Sequence, residues 1–162
     1  MSKILITGGT GLIGSRLSSL LKAKGYEVII LTRNNNFKSS HDSFHWNIEE
    51  YRLDDSAFKN IDHILHLAGA GVADKRWSTK RKKEILTSRV VSTNLLYETI
   101  KRLKIPLKSF IAASAIGYYG STTTDKIFIE TDQPYNDFLG NVCKLWERAI
   151  RQFENLKIRT AV

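Results

Sequence analysis

The chain is predicted to be an α/β protein built on a doubly wound parallel sheet. Short apolar runs alternate with helical stretches along its whole length, the pattern of a parallel sheet with helices on both faces. The runs are nearly continuous in apolar residues, as strands buried on both sides are. A glycine-rich turn, Gly8-Gly9-Thr10-Gly11-Leu12-Ile13-Gly14, joins the first run to the first helix.

That turn carries the strongest functional signal. Strand Lys3–Thr7 feeds the glycines, and a helix follows from Ser15 to Lys24. Glycine permits the tight turn, the approach of backbone to a pyrophosphate, and the close packing of helix on strand. The unpaired N–H groups and positive dipole end of the helix then face the anion. Gly8, Thr10, Gly11, Leu12, Ile13 and Gly14 are therefore the expected phosphate-binding residues. A glycine triplet alone is weak; here strand, spacing and helix agree.

The second strand is read as Glu27–Thr32, and a short third one lies near Ser43–Trp46. Between them, Asn34-Asn35-Asn36 and Ser39-Ser40 mark an exposed loop. The fourth strand is His63–Leu67. The longest helix runs from about Thr79 to Leu103, with Leu86, Val90, Thr93, Tyr97, Ile100 and Leu103 as its core-facing stripe, and Pro106 forbids its continuation. Strand Ser109–Ala113 follows. A helix near Asp137–Asn155 then carries Leu145, Ala149 and Phe153 at helical spacing. The last strand, Lys157–Val162, ends the sequence in the middle of what reads as a buried run. We expect residues 1–162 to be one nucleotide-binding domain whose sheet is incomplete at its C-terminal end.

Composition narrows the class. The 162 residues are 42% hydrophobic and 25% charged, which suits a soluble globular protein and neither a disordered nor a fibrous one. No apolar run reaches the ~20 residues of a membrane span. The apolar stretch at the N-terminus is too short for a signal-peptide core. One cysteine, Cys143, excludes an internal disulfide framework and fits a reducing compartment, so a cytoplasmic location is expected. Four histidines, one cysteine and no supporting acidic cluster give no metal site.

The net charge is +9. Its densest stretch, Lys75-Arg76-Trp77-Ser78-Thr79-Lys80-Arg81-Lys82-Lys83, has six basic residues in nine. One reading is the solvated start of a helix. The other is attraction of an anionic small molecule, a substrate or the cofactor itself. No nucleic-acid motif accompanies the charge, so a specific nucleic-acid partner is not expected. The sequence says nothing of oligomeric state.

The motifs together resemble the extended short-chain dehydrogenase/reductase superfamily, within it the NAD(P)-dependent epimerase/dehydratase group and its branch known as epimerase family protein. The resemblance covers essentially the whole chain. It rests on Ile6 to Gly14, Leu67-Ala68-Gly69, Ala73-Asp74-Lys75-Arg76-Trp77 and Ser88-Arg89-Val90. Ser114-Ala115-Ile116-Gly117-Tyr118-Tyr119-Gly120 and Asp137-Phe138-Leu139 with Val142-Cys143 and Trp146-Glu147 complete it. It implies a Rossmann-like fold, and members that continue past this chain's last residue into a small substrate-covering lobe.

Cofactor choice is read at the end of the second strand. An Asp or Glu there would bind the 2′-hydroxyl of NAD and repel a 2′-phosphate. The sequence has Leu31-Thr32-Arg33-Asn34 instead, and the planar fork of Arg33 suits a phosphate. NADP(H) is therefore expected over NAD(H). The resemblance places Asn47 near the adenine and the backbone of Leu67, Ala68 and Gly69 along the cofactor.

The catalytic pattern departs from the superfamily. A typical member pairs a Ser or Thr with Tyr-x-x-x-Lys on the following helix, the lysine lowering the tyrosine pKa. Matching Lys144-Leu145-Trp146-Glu147 to that helix puts Leu139 at the tyrosine and Cys143 at the lysine. Ser114 and Tyr118 are the remaining polar catalytic candidates. Lys75, Arg76, Trp77 and Arg89 are candidates for an anion-binding substrate pocket, with Trp77 as a stacking surface. The expected function is hydride transfer between NADP(H) and an unidentified small substrate, by an oxidoreductase or epimerase. The alternative is an NADP-binding sensor or scaffold without turnover.

Overall fold

The computed structural model describes residues 1–34 and 42–162. The expected loop residues Asn35, Asn36, Ser39 and Ser40 lie outside the described residues. Among those described, seven strands form one sheet: β1 (Lys3–Thr7), β2 (Glu27–Thr32), β3 (Asp42–Asn47), β4 (Arg52–Leu53), β5 (His63–His66), β6 (Ser109–Ala112) and β7 (Arg159–Ala161). Their spatial order is β4-β3-β2-β1-β5-β6-β7, all neighbours parallel except the β3–β4 pair. The Rossmann-like, doubly wound reading holds.

Among the described residues three α-helices connect the strands: α1 (Leu12–Ala23), α2 (Thr79–Leu103) and α3 (Phe138–Arg151). Alternation along the strands divides the core in two. Leu5, Ile29, Leu31, Ile64 and Phe110 face α2 and α3, together with Leu96, Ile100, Trp146 and Phe153. Ile4, Ile6 and Val28 form a smaller cluster on the other face with Leu21 of α1. Burial on both sides is why these strands are apolar at consecutive positions.

Local differences from the expected elements have physical causes. Helix α1 begins at Leu12, three residues earlier than read, because the turn is already closed by Gly11 N–H donating to Gly8 O at 3.0 Å. Helix α2 has the predicted limits. Ser78 caps it through the Arg81 N–H, and Lys104 ends it in the left-handed region at φ 51°, two residues before Pro106. Of its expected stripe, Thr93, Tyr97 and Ile100 are buried, Val90 and Leu103 pack partly buried against the core, and only Leu86 lies outside it; Ile85, Ser88, Ser92, Leu95, Leu96 and Thr99 widen the buried face. Ser88, Ser92 and Thr93 meet buried polar partners there.

The helix expected over Asp137–Asn155 is α3 plus a 3₁₀ turn, Gln152–Leu156. Asp137 is its cap, accepting from the Gly140 N–H at 2.7 Å. Strands β5, β6 and β7 are shorter than read by one to three residues. The two-residue β4 was not anticipated, since Arg52 and Leu53 carry no alternation to detect.

Candidate functional site

The strand order reverses at β1, which lies between β2 and β5, with Thr7 opposite His66 in the parallel register. Ligands of open α/β sheets bind in the crevice beyond the carboxyl ends of the strands at such a point. Here the chain leaves β1 through Gly8 and leaves β5 through Leu67-Ala68-Gly69. Between them opens a cleft of about 300 Å³, lined by Gly8, Thr10, Gly11, Arg33, Trp46, Ile48, Leu67, Ala68, Gly69 and Ser88 among others.

Its glycines are dictated by contact. Gly8 has φ +72°, and a Cβ there would lie 2.8 Å from the Leu67 carbonyl carbon and 2.9 Å from Ala68 N. The two walls of the cleft thus touch backbone to backbone. A Cβ on Gly14 would enter the Gly8 peptide, so only glycine lets α1 sit this close to the turn. At its start α1 has no side-chain cap and no acidic residue in its first turn. Leu12 and Ile13 are 91% and 70% exposed there. A cradle without side chains, faced by uncapped helix amides, fits a nucleotide pyrophosphate.

A model of the NAD dependent epimerase/dehydratase family matches residues 4–141, from the first strand into α3. The chain belongs to this family. An epimerase family protein of Staphylococcus aureus is 34% identical over the whole of this chain, which corresponds to 54% of that protein. The nucleoside-diphosphate sugar epimerase of Corynebacterium glutamicum is 30% identical, with a TM-score of 0.80 over 98% of this chain and 32% of its own. Human epimerase family protein SDR39U1 (isoform 2), solved with NADPH, is 28% identical, with a TM-score of 0.74 over 91% of this chain and 48% of its own. The chain spans about half the length of the curated relatives it matches.

Within this epimerase-family fold, Arg33 stands directly after β2, exposed, lining both the cleft and an adjoining recess of about 180 Å³. No carboxylate forms a salt bridge with it among the described residues. Asn47 stands beside the cleft, its side chain accepting from the N–H groups of Glu49 and Glu50 at 3.0 and 3.1 Å, and it lines the adjoining recess. The flanking Trp46 and Ile48 line both the cleft and the recess.

Behind Leu67-Ala68-Gly69 stands a layer of buried polar groups. Ala68 N–H donates to Thr7 Oγ1 at 3.2 Å, and Ala70 N–H to Ser88 Oγ at 3.0 Å. Arg89, expected in a substrate pocket, instead supports this segment. It donates to the Ala70 and Ile85 carbonyls at 3.0 and 3.1 Å, and its guanidinium lies 5.2 Å from the Trp146 ring. A Cβ on Gly69 would meet that guanidinium at 3.1 Å, so the two pack closely. Burial lowers the Arg89 pKa, and nearby Arg81 adds to the effect.

The basic run is not one solvated face. Arg81 is buried and binds the Gly71 carbonyl, Asp74 and, at 2.7 Å, Glu84. Arg81 thereby holds the Glu84 carboxyl below its usual range. Lys75, Arg76 and Trp77 are exposed on the loop that Arg81 ties down. The Trp77 indole N–H donates to Val72 O at 2.8 Å, and its ring packs edge-on to Phe138 with centroids 5.4 Å apart.

Ser114 and Tyr118 come together at the carboxyl end of β6, in a recess of about 610 Å³ shared with Tyr119, Glu130, Glu147 and Arg151. Ser114 Oγ donates to Glu147 Oε1 at 2.6 Å. Glu147 was missed as a partner because thirty-three residues separate it from Ser114. Leu139 packs against Gly117. Cys143 is buried, its Sγ 3.9 Å from Ala115 O, and burial pushes its thiol pKa up, away from a nucleophilic thiolate. Among the described residues no helix is long and apolar enough to cross a membrane, and no three His, Cys, Asp or Glu side chains group as metal ligands would.

Proposed function

We propose that residues 1–162 form the NADP(H)-binding part of an oxidoreductase or epimerase that works by hydride transfer on a small anionic substrate. The observation that carries this reading is Arg33 at the mouth of the cleft, directly after β2, where an NAD-selective site would present a carboxylate. Backbone amides of Leu12, Ile13 and Gly14 would take the pyrophosphate, Arg33 the 2′-phosphate, Trp46 and Ile48 the adenine side, and Leu67 to Gly69 the remaining wall. The human relative was solved with NADPH, in keeping with this reading, while MoeE5, 26% identical, was solved with NAD.

When bound, the nicotinamide supplies the hydride chemistry; the protein supplies orientation and proton handling. Ser114 and Tyr118, among the polar groups lining the β6 recess, would serve there. Ser114, already donating to Glu147, can accept a hydrogen bond from a substrate hydroxyl. Lys75, Arg76 and Trp77 would meet an anionic substrate at its outer end, where the exposed cations attract charge. The reaction would take place in the cytoplasm. Leu139 and Cys143 at the positions of the usual tyrosine and lysine favour a second reading, cofactor binding without turnover.

Calorimetric titration with NADPH and NADH tests the reading. NADPH is expected to bind at least tenfold tighter, and Arg33→Asp to abolish that preference. Equal affinities, or an unchanged preference in the variant, would remove the NADP assignment. Consumption of bound NADPH with a panel of carbonyl compounds separates enzyme from sensor.

A further inference from the structure

His66 is completely buried at the end of β5, yet both of its ring nitrogens have partners. Nδ1 lies 2.7 Å from Thr7 Oγ1, and Nε2 lies 3.0 Å from Thr93 Oγ1 and 3.2 Å from Ser92 Oγ. The rings of Trp46, Phe110 and Trp146 surround it, with centroids 5.8 to 6.5 Å away. Such a site keeps the imidazole neutral, with its pKa lowered to about 3 by burial.

Counting hydrogens gives the network a direction. Thr93 Oγ1 donates its one hydrogen to Arg89 O at 2.7 Å. Ser92 Oγ commits its own to the Ser88 and Arg89 carbonyls at 2.7 and 2.9 Å. Both hydroxyls lie closer to a carbonyl than to the ring, and Thr7 decides the tautomer: of its two partners the Ala68 N–H can only donate, which leaves Nδ1 to accept the Thr7 hydrogen and puts the ring proton on Nε2. In a neutral ring Nδ1 is then an acceptor, and Thr7 donates to it. With its hydrogen directed into the core, the Thr7 hydroxyl turns a lone pair toward the Ala68 N–H. The Thr7 carbonyl also accepts the Leu67 N–H, at 3.1 Å.

We propose that His66 is a positioning residue for the cofactor cleft: as the Nε2–H tautomer it orients the Thr7 hydroxyl, which fixes the Leu67–Ala68 peptide against Gly8. The relay runs from the Ala68 N–H through Thr7 to His66, whose Nε2–H either Ser92 or Thr93 can accept. Arg89 and Ser88 hold Ala70 from the same helix, so the segment that forms one wall is set from both ends. The spacing between that wall and the glycine turn is what a dinucleotide must match. This inference rests on the cofactor reading above.

The test combines ring spectroscopy with paired substitutions in the whole chain. Long-range ¹H–¹⁵N correlation spectra are expected to show His66 as the Nε2–H tautomer, the signal assigned by its loss in His66→Gln. Thr7→Val, which orphans the Ala68 N–H, should speed exchange of that amide and weaken NADPH binding, each by about tenfold. Thr7→Ser should restore both. Thr93→Val removes a comparable buried bond on the far side of the ring. It should lower the thermal midpoint as Thr7→Val does, while NADPH affinity stays within twofold of wild type.

An Nδ1–H tautomer overturns the proposal. So does a Thr7→Val protein with unchanged Ala68 exchange, or a Thr93→Val protein that loses NADPH affinity as much as Thr7→Val does. A wild-type chain that binds neither NADPH nor NADH overturns the cofactor reading instead, and Ala68 exchange still decides whether the relay holds the wall.

Discussion

Thr7 Oγ1 and His66 Nδ1 meet at 2.7 Å where β1 and β5 both end, at the point where the strand order reverses. The two strands that frame the cleft are therefore joined by a side-chain bond beneath it, in addition to the sheet ladder.

Burial of His66 makes stability depend on pH in a particular window. The unfolded chain takes a proton on this residue below about pH 6.5, and the folded chain only near 3. Between those values the unfolded state holds more protons, so stability is complete above about 6.5 and falls as pH drops. The slope is about 1.4 kcal/mol per pH unit for one group. Asp55, Asp62, Glu84 and Asp132, whose pKa values are lowered by their partners, act only below about pH 4.5. Urea unfolding at pH 7, 6 and 5 should show the midpoint falling, and His66→Gln should flatten the trend. Wild-type curves that superimpose across this range would contradict the buried neutral histidine.

Gly8→Ala is expected to destabilise the fold by about 1–3 kcal/mol, because a left-handed φ and a backbone clash act together. Gly25→Ala is the comparison: its φ is also positive, at +85°, but nothing lies within 4 Å of the added carbon. The difference between the two variants in chemical denaturation measures the contact between the cleft walls. Equal losses would mean that conformation alone, and not the Leu67–Ala68 peptide, requires glycine at position 8.

Arg81→Met should cost about 1–3 kcal/mol, below the range for breaking a fully buried ion pair. Asp74 and Glu84 are 65% and 45% exposed and regain water when the arginine is removed, so the unpaired Gly71 carbonyl is the main loss. The loop over residues 71–78 should loosen, which limited trypsin digestion at Lys75 and Arg76 would report as faster cleavage. Cleavage at the wild-type rate, with unchanged stability, would show that Arg81 does not hold the loop.

Much of the fold was legible because parallel strands and crossover helices leave strong local marks. Helix α2 was read to about its limits from the apolar spacing and Pro106, both of them local features. The glycine turn was legible for the same reason: its geometry depends on backbone freedom within seven residues. Where reading by type failed, the partner was distant in sequence. Arg89 looked like a free cation, and its partners are the Ala70 carbonyl and the Trp146 ring. Arg81 looked like one member of a basic run, and Gly71 and Asp74 bury it.

By itself, then, the sequence determined the alternation of elements, the glycine turn at Gly8 to Gly14, and the absence of a carboxylate directly after β2. These follow from periodicity, glycine conformation and residue chemistry, which act over a few residues. Only the tertiary structure decided which polar groups face the cleft and which support it from behind. The Thr7–His66 and His66–Thr93 hydrogen bonds and the Ser114–Glu147 pair join residues 27 to 59 positions apart. A buried donor or acceptor must find a partner wherever the fold brings one, and the fold brings these together through strand register and helix crossover.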